Sequence, residues 1–317
     1  MPQSVGEESA LYVATGSAVC RLTSPEGEPE EVFSAEGARC VDAAGGLVAV
    51  AMEDGRIVLL SDGRSTFETG LTEPVESLRV LSGEPPEVLI GTEGAQMHRL
   101  RGHTVQRIEA FDTLDCRQRW HTPWGGPPAV RSIADTPDGW VYADIHVGSI
   151  MRSSNRGQSW QPVTPELNED VHQVATCPAE PNRVVANTAK AVYVSDDRGG
   201  SWEHRAADLD TRYGRAVAVA PGDPDLLLAT VSDGPHGENV HGQLWRSEDA
   251  GRHWSHVRDG FPASTHENIN TFHVAFTTDA RGWAAVGDAL HVGEGRARRV
   301  VHRLAERRVA GHLDGVA

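Results

Sequence analysis

Ser153-Ser-Asn-Arg-Gly-Gln-Ser-Trp160, Ser195-Asp-Asp-Arg-Gly-Gly-Ser-Trp202 and Ser247-Glu-Asp-Ala-Gly-Arg-His-Trp254 align without a gap and share the form S-x-[DN]-x-G-x-x-W. Their starts lie 42 and 52 residues apart, the period of a repeated supersecondary unit. Each copy follows a β-rich run: SIMRSS, AVYVSD and QLWRSE. The residue types suit a tight hairpin. Ser and Asp or Asn side chains bond nearby backbone and close the turn. Gly at the fifth position supplies a positive φ that other residues resist. Trp at the eighth opens the following strand with a large apolar face for a neighbouring sheet. The motif residues are therefore structural: Ser153, Asn155, Gly157 and Trp160; Ser195, Asp197, Gly199 and Trp202; Ser247, Asp249, Gly251 and Trp254.

The motif resembles the Asp box of BNR-repeat proteins, the sialidase and sortilin-like superfamily. The resemblance implies a β-propeller in which each box joins the third and fourth strands of a blade, on the face away from the active site. The segment from about His121 to Gly293, with H-T-P-W-G-G-P-P, H-V-G, D-V-H and S-D-G-P, is similar to uncharacterised BNR-repeat proteins described as glycosyl-hydrolase-like. That resemblance implies a fold and no particular activity.

Extending the period gives an all-β, single-domain propeller of four-stranded antiparallel blades. Inner strands are read at ARCVDAAG, SLRVLSGEPP, VRSIADTPDG, HQVATCPAEP, RAVAVAPGDP and FHVAFTTDARG. Second strands follow at LVAVAM, EVLIGT, WVYADI, RVVANT, LLLATV and WAAVGD. These define blades at 38–72, 75–112, 129–164, 171–208, 213–260 and 268–304. Residues 10–33 hold three further strands without an inner one, and 308–317 (RVAGHLDGVA) reads as the missing strand. Pairing the two ends predicts a seventh blade and hides the ring's edges.

Strand alternation sorts residues by face. The loop before each inner strand and the loop between strands two and three share the face opposite the boxes. Counting six back from the turn residues Gly45, Pro137, Pro178 and Pro221 gives Arg39, Arg131, His172 and Arg215 in one register. The neighbouring loops add His121, Trp124, Tyr213, Asn270, His273 and His146, and the insertion Ser232–Gly242 adds Asp233 and His236. Long loops on a rigid scaffold often carry function.

Three functional readings follow. The first is a binding or scaffold module, with Arg39, Arg131, Arg215, Trp124 and Asn270 contacting a small-molecule, glycan or protein ligand. The second is a metal-dependent enzyme holding Fe, Cu or Zn through a subset of His121, His146, His172, His236 and His273, since imidazole suits these ions. Carotenoid oxygenases hold iron on a propeller axis in this manner. The third is a sialidase-like hydrolase or a lyase acting on an anionic substrate, because arginines grip carboxylates by paired hydrogen bonds. There Tyr213, Asp144, Asp233 or His172 would be the nucleophile, acid or base. The sialidase Phe/Tyr-Arg-Ile-Pro signature is absent, and no Glu is placed to activate Tyr213.

Composition narrows the partners. The 317 residues carry a formal charge of -16 and one lysine, Lys190, which argues against nucleic acid or an anionic membrane as partner. Cys20, Cys40, Cys116 and Cys177 form no CxxC pair and are expected to be reduced thiols. The opening MPQSVGEESA lacks a charged-then-apolar leader, and no apolar run of about 18 residues occurs. The expectation is a cytoplasmic protein.

Overall fold

A computed structural model describes residues 10–24, 27–61, 64–81, 86–286, 289–293 and 300–303. It is all-β apart from one helical turn, α1 (Glu109–Asp112), and a 3-10 segment (Asp115–Arg119). Strands β1 (Leu11–Ala14), β2 (Gly16–Leu22), β3 (Glu30–Ala44), β4 (Leu47–Met52), β5 (Arg56–Leu60) and β6 (Arg64–Glu68) form one six-stranded antiparallel sheet in chain order. The long β3 serves two groups, pairing with β2 near Glu30–Ser34 and with β4 from Ala38 onward. The three strands read at 10–33 are thus present, joined to the next group through β3.

Five four-stranded sheets follow, each again in chain order. They are β7 (Val75–Leu81), β8 (Glu87–Thr92), β9 (Met97–Arg101) and β10 (Thr104–Arg107); then β11 (Val130–Asp135), β12 (Val141–Ile145), β13 (Ser149–Ser153) and β14 (Gln161–Pro162). Next come β15 (Val171–Cys177), β16 (Glu180–Thr188), β17 (Ala191–Ser195) and β18 (Glu203–His204), then β19 (Tyr213–Ala220), β20 (Asp223–Ser232), β21 (Gln243–Ser247) and β22 (Ser255–His256). The last holds β23 (Val274–Phe276), β24 (Gly282–Val286), β25 (Ala289–Gly293) and β26 (Val300–Arg303). Residues 308–317, read as the strand that closes the seventh blade, lie outside the described residues. No helix among the described residues is long and apolar enough to cross a membrane.

The second strands are the most buried, as β4 (LVAVAM) and β8 (EVLIGT) show along their whole length. Apolar clusters join successive sheets, and one (Val19, Phe33, Val48, Val50) lies within the six-stranded sheet. Val185, Val192 and Val194 pack with Val217, Leu227 and Trp254. Val13 and Leu22 pack with Trp283, Ala285 and Leu290, which brings the first strands against the last sheet.

The boxes behave as their spacing requires. Ser153 Oγ accepts from Gly157 N at 2.8 Å, and Asn155 Oδ1 accepts from Ser159 N at 2.9 Å. The same bonds recur at Ser195/Gly199 (2.7 Å) and Ser247/Gly251 (2.8 Å). The glycines have φ of 80°, 80° and 84°, but the residues before them, Arg156, Arg198 and Ala250, are left-handed too. Each Trp packs into the cluster shared with the preceding sheet: Trp160 beside Met97 and Phe111, Trp202 beside Tyr142 and Val163, Trp254 beside Val192.

The third box carries a titrating version of the lock. Burial works against the Asp249 carboxylate, but hydrogen bonds from the His253 backbone and ring and from Ser247 outweigh it and hold its pKa down at about 2. A depressed acid contributes stability that is complete above its unfolded value, near 4, and is lost as pH falls through the folded one. Asp249→Asn should therefore reduce the fall in melting temperature between about pH 4 and pH 2. It should also remove the contribution of His253, which Asp249 raises and which is lost as pH climbs through its folded value. Melts across that range check it; parallel curves for the two proteins would refute it. Asn155, in the same place in the first box, already accepts the amide bonds without titrating.

Candidate functional site

A β-bulge recurs at one place on successive inner strands. Pairing skips a residue between Ala38 and Cys40, Val75 and Ser77, Val130 and Ser132, Val171 and Gln173, and between Gly214 and Val217. The extra residues are Arg39, Glu76, Arg131 and His172, with Arg215 in the fifth. A bulge breaks the ladder and re-aims a side chain, which is why such positions recur beside binding sites. Counting from the turns finds four of these five. Glu76 holds the same position but belongs to a strand whose following turn has no matching Pro or Gly at that count. In the last sheet the position is Phe272, exposed and at φ 64°, a conformation a bulky residue adopts only when its surroundings impose it. Phe272 N donates to Gln173 Oε1 at 2.9 Å, and Thr271 Oγ1 donates to the His172 carbonyl at 3.0 Å, so this segment is tied across to the His172 strand.

Arg215 lines a cavity of about 280 Å³, and Arg131 and His172, from the two preceding sheets, lie against its His146 and Asp170 walls. Its walls include Trp124, His146, Asp170, Tyr213, Arg215 and His236. Because each sheet is antiparallel in chain order, the loops supplying these residues emerge at the end opposite the third-to-fourth-strand hairpins that carry the boxes.

Each side chain has a local cause. In the loop before β11, Gly125 N bonds Thr122 O at 3.0 Å and Thr122 Oγ1 bonds Gly126 O at 2.6 Å, a tight turn. Gly126 lets the Trp124 indole lie close, since a Cβ there would be 2.8 Å from Trp124 Nε1. Trp124 then stands 55% exposed, edge-on to the His146 ring at 4.7 Å. His146 follows β12, its amide bonded to Ala129 O at 3.2 Å. Asp170 ends the loop before β15 and His172 stands at the bulge that follows, which brings the two side chains together. His172 is fully buried; its Nδ1 meets the Gly214 carbonyl, and its Nε2 lies 3.1 Å from Asp170 Oδ1 and 3.3 Å from the Tyr213 hydroxyl. His146 Nε2 is 3.7 Å from the same Asp170 oxygen.

Two guanidinium groups flank this cluster. Arg131 Nη1 lies 3.3 and 3.4 Å from the two His146 ring nitrogens, and Arg131 makes no ion pair among the described residues. Arg215 lies 5.2 Å from the Tyr213 ring centre. Burial, then the Arg131 charge and His172, push His146 down to about 2. Burial likewise lowers His172. Burial opposes the Asp170 charge, but His172, His146 and Arg131 together hold its carboxyl below the usual range. Near neutral pH the site is thus two neutral imidazoles, one carboxylate and two guanidiniums.

The other candidates fall elsewhere. Arg39 pairs with Glu76. His121 is exposed, its Nδ1 3.0 Å from Arg119 O. His273 is packed below the surface loop and pushed down to about 4 by burial; its amide bonds the Asn270 carbonyl, the role Asn270 plays. Asp233 pairs with His241 at 2.7 Å, both half-exposed. Asp144 is fully buried, accepts from Ser132 Oγ, and is pushed up to about 7 by burial. Its place on the second strand is taken in the next sheets by Asn187, which donates to Ala216 O, and Thr230, which donates to Ile269 O. Its partner Ser132 Oγ accepts from Val174 N, so Asp144 too sits at a sheet-to-sheet contact. Asp170 was not among the residues singled out from sequence; its signal was the two-residue spacing in Asp170-Val-His172.

Successive four-stranded sheets with three box hairpins at one end and a polar cavity at the other define an Asp-box β-propeller. The family profile described as "Sortilin, neurotensin receptor 3" matches residues 148–276. No curated protein matches the chain. Among solved structures, an ancestral GH74 enzyme superposes with TM-score 0.61 at 16% identity, over 91% of this chain and 37% of that one. The GH74 xyloglucanase from Xanthomonas campestris gives 0.65 at 14%, over 93% and 52%. YCF48 bound to D1 peptide gives 0.60 at 13%, over 88% and 85%. The chain thus spans 37% and about half of the two GH74 enzymes. At these identities the likeness is one of fold.

Proposed function

We propose that this propeller is a binding module whose face opposite the Asp boxes takes a carboxylate-bearing ligand between Arg131 and Arg215, with Trp124 as an apolar wall. The observation that carries this reading is Arg131. It is a half-buried guanidinium at a bulge, within 3.4 Å of both His146 ring nitrogens, that makes no ion pair among the described residues and feels the Asp170 charge only from beyond contact. Its remaining donors are placed to pair with an anion in the cavity. Arginine binds carboxylates in paired, directional fashion. YCF48, of similar fold, has been solved with a peptide bound. A seven-bladed ring is part of the proposal: the packing of Val13 and Leu22 against Trp283 and Leu290 supports β1, β2 and the first half of β3 as the outer strands of a seventh blade.

Calorimetric titration with N-acetylneuraminate, glucuronate, citrate and a short peptide bearing a free C-terminus, all in chelator, tests it. At least one should bind, and Arg131→Ala should weaken it about 10- to 100-fold, as expected for a charge-assisted pair of about 1.5–3 kcal/mol. Arg246→Ala, on the third strand of its sheet and away from the cavity, should leave binding unchanged. Saturation by none of the four, or equal binding by Arg131→Ala, would remove the reading.

A further inference from the structure

We propose that His146, Asp170 and His172 form a binding site for one divalent first-row transition metal ion. Their donor atoms all lie within 4.8 Å of one another, and Asp170 Oδ1 is 3.1 Å from His172 Nε2 and 3.7 Å from His146 Nε2. The decisive feature is the His172 tautomer. Nδ1 faces the Gly214 carbonyl, which only accepts, so Nδ1 carries the hydrogen and Nε2 presents its lone pair. That nitrogen lies 3.3 Å from the Tyr213 hydroxyl and 3.1 Å from Asp170 Oδ1, another acceptor. Two acceptors this close repel unless a cation, a metal ion or a proton on Nε2, lies between them. Asp170 Oδ1 is moreover buried and accepts no hydrogen bond. A metal ion answers both at once.

The surroundings suit a metal ligand set. A carbonyl holding the far nitrogen of a ligating imidazole fixes its orientation and raises its basicity. Asp170 is itself anchored, its amide bonded to Asn168 Oδ1 at 3.2 Å. Two imidazoles and one carboxylate match zinc, iron and copper rather than magnesium or calcium. Small side-chain rotations would bring the three donors to the roughly 2.0–2.2 Å that such ions require. Three protein ligands leave the cavity side, toward Trp124, Arg215 and His236, for water or an anion. Arg131 and Arg215 repel a bare cation, so a carboxylate in the cavity should tighten metal binding.

Metal-stripped protein titrated with Co(II), read by visible absorption, and with Zn(II), read by calorimetry, tests the site. One equivalent should bind at micromolar or tighter affinity with a cobalt d–d spectrum. Asp170→Asn and His146→Gln should each weaken binding at least 30-fold, while His121→Gln keeps it. Two ligand variants on different sheets ensure that one remains informative if the other unfolds. Absence of saturable one-equivalent binding to the unaltered protein, or wild-type affinity in a folded ligand variant, would overturn the proposal. Carboxylate binding in chelator is a separate measurement, so either idea can fail alone.

Discussion

Gly214→Ala is expected to destabilise the protein by about 3–5 kcal/mol, the sum of overpacking and of buried hydrogen bonds left unmade. The backbone at Gly214 is ordinary, so the cost comes from its neighbour. An added Cβ would lie 1.7 Å from Asn187 Oδ1 and 2.5 Å from its Cγ. Asn187 is fully buried, and its Nδ2 donates to Ala216 O at 2.7 Å and to Thr230 O at 2.9 Å. Moving it away abandons both carbonyls inside the contact between two sheets. Asn187→Ala alone should lose only the hydrogen bonds, about 1–3 kcal/mol. The double variant should cost less than the two singles added together, because the second change removes the clash created by the first. Urea unfolding of all four proteins reads this directly, and strict additivity would sink the steric explanation. The Gly214 carbonyl also meets His172 Nδ1, so ligand or metal binding should weaken in any folded fraction.

Arg79→Ala should cost about 2–3 kcal/mol, between the values typical of exposed and of buried ion pairs. Arg79 on β7 reaches Asp135 on β11 at 2.6 Å and Asp42 on β3 at 3.4 Å, so one guanidinium ties three inner strands. Asp42 is itself committed, its other oxygen accepting from Val80 N at 2.7 Å. Removing the cation leaves two half-buried carboxylates facing a space they shared with it. Arg79→Lys should recover only part of the loss, because an ammonium on a flexible stem cannot offer two fixed directions at once. The check is the midpoint of chemical unfolding for the two variants; a Lys variant with the midpoint of the unaltered protein would show that the stem or the bare charge, not the fork, supplies the stability.

The motif residues and the site were legible to different degrees, for physical reasons. The boxes were plain because their bonds run between residues two to four apart, so chemistry and spacing coincide in the chain. The bulge register was legible wherever a Gly or Pro marked the following turn, which gave Arg39, Arg131, His172 and Arg215. Phe272 escaped because an apolar residue at that count reads as core, whereas here it is displayed. Asp170 escaped although it stands two residues from a residue that was found. What no reading of one strand could reveal is the fit between strands: Gly214 opposite Asn187, or Gly91, where a Cβ would lie 2.6 Å from Val130 Cγ1. Such pairs are 27 and 39 positions apart and are set by which sheets touch. The sequence grouped His146 and His172 on one face with His121, His236 and His273; which of the five meet at one point depends on the same contacts between sheets.

The recurring bulge has a consequence for how such a molecule can change. A residue looped out of the ladder is excused from strand pairing, so its identity is only weakly coupled to whether the chain folds. Here a single backbone geometry sets Arg39, Glu76, Arg131, His172 and Arg215 at the same position on five successive inner strands. Drift can therefore rewrite these positions one blade at a time, while the boxes on the far side hold the architecture constant. The bulge separates the evolvable part of the propeller from the part that selection must keep.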